Sequence, residues 1–80
     1  MRQMEFDMER PDLVEVGQEV EVVEKALPYT YYYTIVPALA MSRNIDPDKR
    51  LVTRKGKVLK VEPFGTREVV TVEFDEDEPV

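Results

Sequence analysis

Residues 56–76 read GKVLKVEPFGTREVVTVEFDE, in which two valine-rich runs flank a proline and a glycine. In the second run every other residue is apolar: Val70, Val72 and Phe74. This period of two is typical of a strand that has one face in a core and the other in water. It predicts a strand over residues 68–75.

The first run predicts the antiparallel partner of that strand, over residues 57–62. Its β-branched residues favour a strand. Simple alternation puts Leu59 and Val61 on one face and Val58 on the other. The turn between the two strands is predicted at residues 63–67.

The three glycines of the chain, Gly17, Gly56 and Gly65, are isolated from one another. They predict turns or bulges and no phosphate-binding loop. Gly65 takes a positive φ without steric cost, and Pro63 has no N–H to donate to a ladder. We therefore expect the strand pairing to end between Pro63 and Gly65.

Two stretches nearer the N-terminus also have the periodicity of strands. In residues 19–25 valines alternate with glutamates, which predicts a third strand. Met4, Phe6 and Met8 alternate with acidic residues until Pro11 breaks the pattern. This pattern favours an additional edge strand, and the competing expectation is that the first twelve residues fray.

The middle of the chain, residues 26–55, is less regular. Residues 31–36, YYYTIV, have strand-forming composition and lie between Pro28 and Pro37. Three shorter features follow: helix-forming composition over residues 38–41, one helical turn over residues 47–50 after Asp46, and a short strand over residues 51–54.

These elements together predict an all-β fold. Four or five short antiparallel strands without a long amphipathic helix favour a small, partly open β-barrel, with a long irregular insertion and one short helical turn. Eighty residues suffice for a single domain, which we expect to span residues 1–80. The chain has no cysteine and no histidine, so its core depends on packing alone.

The net charge of −6 is unevenly distributed. Residues 1–24 and residues 61–80 each carry a balance of −6, whereas residues 43–60 carry seven basic and two acidic side chains. An acidic total opposes indiscriminate binding to nucleic acid, although a local basic face is compatible with it. The acidic tail, residues 75–80, is expected to be solvated.

Two segments resemble a known family. Residues 16–23, VGQEVEVV, are similar to the opening of SH3-like barrels, and residues 54–74, RKGKVLKVEPFGTREVVTVEF, resemble the later part of a KOW motif. A glycine before two valine-rich strands carries this resemblance, at Gly56, Val58, Val61, Val70 and Val72. The short basic loop of KOW modules is replaced here by about 30 residues. The resemblance implies that the predicted barrel is SH3-like and that it is a module that binds RNA or another protein.

The residues most suited to binding are aromatic or basic. Tyr31 and Tyr33 belong to a tyrosine-rich strand that would either complete the core or form a stacking platform for bases or a proline-rich peptide. Arg54, Lys55 and Lys57 flank Gly56. They would either neutralise neighbouring acidic strands or contact a phosphate backbone or an acidic protein.

The composition does not favour catalysis. General acid–base chemistry at neutral pH most often uses histidine, and nucleophilic chemistry most often uses an activated cysteine or serine. Histidine and cysteine are absent, and Ser42 is the only serine. We predict no catalytic residue, no cofactor and no metal site.

A non-catalytic interaction module is the function that these features favour, with another protein as its partner. Two alternatives stay open: an RNA-binding module that uses the basic residues 43–60, and an accessory domain of an enzyme. A homodimer completed across the aromatic strand is also compatible with the sequence.

The sequence pattern also bears on localisation. The opening residues, MRQMEFDMERPD, lack the apolar run of a signal peptide, and no apolar run approaches the ~20 residues of a membrane span. We expect a cytoplasmic protein without a membrane partner.

Overall fold

The computed structural model describes residues 1–10, 13–36 and 40–78. Nearly all regular structure in these residues is β, as predicted. The strands are β1 (Arg2–Met8), β2 (Glu19–Ala26), β3 (Tyr31–Val36), β4 (Ala40–Ser42), β5 (Lys55–Phe64) and β6 (Arg67–Phe74). One 3₁₀ turn, Pro47–Lys49, lies where the helical turn was predicted.

The six strands form a closed antiparallel barrel in the order β1-β4-β3-β2-β5-β6. The prediction of a partly open barrel with four or five strands was therefore wrong in strand count and in closure. β1 makes the difference, because it pairs with β4 on one side and with β6 on the other. It is neither an edge strand nor frayed: Phe6 and Met8 are fully buried in the core.

β4 corrects the expectation of helix-forming structure at Ala40 and Met41, whereas residues 38 and 39 of that prediction lie outside the described residues. Ala40 is fully buried and pairs with Ile35 of β3, while Met41 pairs with Asp7 of β1. Three residues are too few for propensity to decide their conformation, so pairing with two neighbours decides it. The predicted breaks at Pro11 and Pro37 lie outside the described residues.

A β-bulge between Val58 and Lys60 corrects the predicted faces of β5. Beyond the bulge Val61 pairs with Val70, a core residue, so Val61 packs on the same side of the sheet as Val58. Leu59 is the extra residue of the bulge. An inserted residue breaks the period of two, and alternation alone therefore assigned Val61 to the wrong face.

The β5–β6 turn is tighter than predicted. Pairing continues past Pro63 to Phe64 and Arg67, and Gly65 has the expected positive φ of 64°. β2 pairs with β5 only over residues 55–57. Pro63 therefore lies in a part of β5 that pairs with β6 on one side and with no described strand on the other. Its missing N–H costs no ladder bond there.

The barrel core is apolar and contains the ring of Tyr33. Phe6 and Phe74 lie with ring centroids 6.4 Å apart, inside a cluster that also includes Met8, Ile35 and Val72. The irregular part of the predicted insertion is residues 43–54, because β3 and β4 are barrel strands. Residues 51–54, predicted as a short strand, have no regular structure.

Candidate functional site

The five residues predicted to bind a ligand do not form one surface. Tyr33 is fully buried, and Tyr31 is partly buried with the Arg50 guanidinium 4.4 Å above its ring. Lys55 and Lys57 are exposed on β5. Tyr33 is therefore a core residue and cannot offer its ring to a partner.

Tyr33 instead belongs to a polar cluster around Glu24. Its hydroxyl donates to Glu24 Oε2 at 2.7 Å and accepts from the Leu51 N–H at 2.7 Å. Arg50 donates to both carboxylate oxygens, at 2.6 and 3.2 Å. Arg54 lies 3.5 Å from the same carboxylate and donates to the Leu51 carbonyl at 2.7 Å. These contacts connect residues 43–54 to β2 and β3.

The cluster shifts two ionisation equilibria. The hydrogen bonds from Arg50 lower the pKa of Glu24 despite its partial burial, and the Tyr33 hydroxyl and Arg54 add to this effect. Burial, followed by the hydrogen bond to Glu24, raises the pKa of Tyr33. Both groups therefore keep their usual charge at neutral pH.

A second cluster surrounds Glu76 and corrects the expectation of a fully solvated tail. The Glu76 carboxylate accepts from the Val52 N–H at 3.0 Å and from the Thr53 N–H and hydroxyl, both at 2.8 Å. Arg2, which is buried, lies 3.3 Å from it and also donates to the carbonyls of Lys49 and Arg50.

The pKa of Glu76 reflects these contacts. Burial by itself would raise its pKa, but the hydrogen bonds from Thr53, Val52 and Arg2 outweigh burial and lower it. Residues 79 and 80 of the predicted tail lie outside the described residues. The sequence pattern alone did not reveal this carboxylate, because a run of acids in a terminal segment is ordinarily solvated.

The predicted basic cluster is interleaved with acidic side chains. In the ladder, Lys55 lies opposite Glu21, and Lys57 lies between Glu19 and Glu73. Opposite charges at directly paired positions attract one another. The register thus fits the interpretation that these lysines neutralise the acidic strands beside them.

An open groove that the sequence did not predict lies on the outer face of β1, with a volume of about 710 Å³. We call it the Phe64 groove, lined by Glu5, Phe6, Asp7, Glu9, Met41, Ser42, Arg43, Glu62, Pro63, Phe64, Arg67 and Val69. Phe64 is 73% exposed at the end of the β5–β6 hairpin, and Met41 on β4 is 52% exposed. Between them, Asp7 and Arg67 form an ion pair at 2.8 Å.

The charges of the Phe64 groove are mostly negative. Its lining contains four carboxylates and two guanidinium groups. Asp7 is paired with Arg67 of the lining, and Glu62 is paired with Lys60 at 3.2 Å. A concave surface with apolar walls and carboxylates suits an apolar side chain that is flanked by positive charge. Sequence patterning missed Phe64 because the residue belonged to the predicted turn, although an aromatic residue beside a turn glycine is a hint of exposure.

Comparisons with known proteins identify no family for this chain: no family model, no curated protein and no solved structure matches it. The barrel is compatible with the predicted SH3-like architecture, but no family match supports the KOW-like resemblance. In the described parts of the chain, no three carboxylates lie close enough to hold a metal ion. No helix of the described residues has the length and apolar character needed to cross a membrane.

Proposed function

We propose that this chain is a non-catalytic protein-binding module of the SH3-like kind, and that the Phe64 groove receives a segment of its partner. The observation that carries the proposal is Phe64 itself, an aromatic ring that is 73% exposed beside a concave apolar surface. Burying such a ring contributes about 1.5–3 kcal/mol to association. The hairpin that presents it pairs with β1 up to Glu68, so little ordering is needed on binding.

The favoured partner segment carries an apolar residue next to lysine or arginine. Val69 and Met41 offer contacts for the apolar residue, and the surplus of carboxylates in the lining favours the positive charge. The net charge of −6 also attracts a positively charged partner over longer distances.

RNA binding through residues 43–60 is the less favoured alternative. Phosphate contacts need cations that are not already neutralised, whereas Lys55 and Lys57 lie opposite glutamates on neighbouring strands. Arg50 and Arg54 contact Glu24. No observation on the basic segment favours RNA over protein.

The absence of catalysis is likewise a proposal. The two least exposed carboxylates with defined partners, Glu24 and Glu76, have lowered pKa values and accept several hydrogen bonds each. A general acid that works near neutral pH needs a raised pKa. An accessory role beside an enzyme would use the same Phe64 groove as a docking surface.

The proposal is tested by selecting binders from a random peptide library displayed on phage against the immobilised chain. We expect enriched peptides to combine an apolar residue with lysine or arginine. Amide shift mapping by NMR with a synthetic copy should place the perturbed residues around Phe64, Arg67 and Val69. Phe64→Ser should weaken binding at least about tenfold, which corresponds to losing about 1.4 kcal/mol.

The matched control is Val52→Ser, which replaces an apolar residue that is 81% exposed and lies outside the Phe64 groove. It should leave peptide affinity unchanged. Enriched peptides that bind Phe64→Ser and the unaltered chain equally would contradict the proposal, as would a selection that enriches no peptide. Binding of single-stranded RNA that falls steeply with salt would favour the alternative.

A further inference from the structure

The outer face of β3 carries no charged side chain. Tyr33 and Ile35 are buried in the core, so Tyr32, Thr34 and Val36 lie on the opposite face. On the neighbouring strands, Val23 of β2 and Met41 of β4 both pair with Thr34. We call these five residues the uncharged patch: Val23, Tyr32, Thr34, Val36 and Met41.

The uncharged patch contrasts with the rest of the barrel surface. Charged residues make up 35% of the chain, and the outer faces of β1, β5 and β6 carry residues such as Asp7, Lys57 and Glu73. Val36 is 47% exposed and Met41 is 52% exposed. Neighbouring exposed apolar residues on an otherwise charged surface are typical of protein contact sites.

Opposite charges flank the two ends of the patch. Glu21 pairs with Val36 at one end, and Lys25 pairs with Tyr32 at the other. The two charged residues lie on β2, one on either side of Val23, about 13 Å apart along the strand. An acid at one end and a base at the other make a surface that is complementary to itself.

Two-fold symmetry brings these ends together. If two patches pack face to face about an axis along the row of Val23, Thr34 and Met41, the strands of the two copies run antiparallel. Glu21 then lies over Lys25 of the partner subunit, and Val36 lies over Tyr32 of the partner subunit. The apolar row along the axis packs against itself.

We propose that the uncharged patch is the interface of a symmetric homodimer. A patch of about 13 by 10 Å is far smaller than the ~800 Å² per partner of a standard interface. The dimer should therefore be weak, with a Kd of roughly 0.1–1 mM. The inference does not rest on the proposed function, because it uses a different surface that shares only Met41 with the Phe64 groove.

The test uses charge reversal and sedimentation equilibrium from about 10 µM to 2 mM. The unaltered chain should increase in average mass from 9.3 kDa toward twice that value. Glu21→Lys and Lys25→Glu should each weaken self-association about tenfold or more. Each substitution puts like charges opposite one another at both of the symmetric contacts between positions 21 and 25. An equimolar mixture of the two variants should associate again, since both contacts in the mixed dimer are attractive.

Thermal unfolding of each variant controls for folding, because Glu21 also pairs with Lys55 within the barrel. Val52→Ser, outside the patch, should dimerise like the unaltered chain. The proposal is overturned if the unaltered chain stays at 9.3 kDa at the highest concentration. It is also overturned if folded single variants still dimerise normally, or if their mixture fails to associate.

Discussion

Gly56 leaves no room for a larger side chain. It lies inside β5 between Val20 and Phe74, and not at a turn or bulge as its isolation predicted. A Cβ there would lie 2.6 Å from Val72 Cγ1, 2.8 Å from the Glu73 carbonyl oxygen and 2.9 Å from Phe74 Cδ1. Two of these neighbours are core side chains and the third is backbone, so none can move freely.

We expect Gly56→Ala to lower the free energy of unfolding by about 2–3 kcal/mol, because overpacking displaces core side chains. Urea denaturation followed by circular dichroism measures this change. Lys57→Ala is the matched control, since it changes the adjacent, exposed residue and should cost less than about 1 kcal/mol. Equal stability of Gly56→Ala and the unaltered chain would mean that β5 and β6 do not approach this closely.

At the scale of elements, two carboxylates attach the irregular segment, residues 43–54, to the barrel. Glu24 contacts this segment through Arg50, Arg54 and the Tyr33 hydroxyl, and Glu76 binds its backbone at Val52 and Thr53. Both carboxylates have a pKa below the ordinary value of 4.5. The folded state thus favours their ionised forms, and their stabilising effect is complete above about pH 4.5 and is lost as the pH falls through the lowered pKa values.

Glu24→Gln should lower the free energy of unfolding by about 2 kcal/mol at pH 7, because it removes the charge-assisted hydrogen bonds from Arg50. The deficit should shrink as the pH falls below 4.5 through the lowered pKa of Glu24, because the carboxylate of the unaltered chain then becomes protonated. Urea denaturation at several pH values measures both effects. Glu9→Gln, which changes an exposed residue, is the control and should alter the free energy of unfolding little at any of these pH values. A deficit for Glu24→Gln that stays constant with pH would contradict this prediction.

The sequence predicted those elements whose conformation is decided by local pattern, and it failed for those decided by tertiary contacts. β3 was predicted from its strand-forming composition and β6 from the alternation of Val70, Val72 and Phe74, and residues 19–25 fall within β2. These three predicted strands were confirmed. β4 is only three residues long and pairs with β1 at Asp7, which is more than 30 residues away in the sequence. The bulge in β5 interrupts the period that predictions rely on.

The candidate sites were predicted less well than the fold, for a physical reason. Whether Tyr33 is a binding residue or a core residue depends on which face of β3 points inward, and alternation does not decide this. Arg2 and Glu76 meet across most of the chain length, so no local pattern connects them. The Phe64 groove likewise requires β1 to lie beside both β4 and β6.

At the scale of the whole molecule, β1 closes the barrel by pairing with both β4 and β6. This strand supplies the floor of the Phe64 groove, and its partner β4 supplies Met41 to the uncharged patch. A closed barrel leaves no free sheet edge over its paired residues. Each strand thus has a neighbour on both sides over at least part of its length, which limits the exposed backbone of so small a domain.

The most direct test is an NMR measurement of contacts between strands in the unaltered chain. Closure predicts interstrand proton NOEs that join Phe6 to Ser42 on one side of β1 and Glu5 to Thr71 on the other, in the antiparallel registers observed. The amides of β1 should also exchange as slowly as those of β6. Fast exchange throughout residues 2–8, with no NOE from Phe6 or Asp7 to residues 40–42, would contradict the closed barrel.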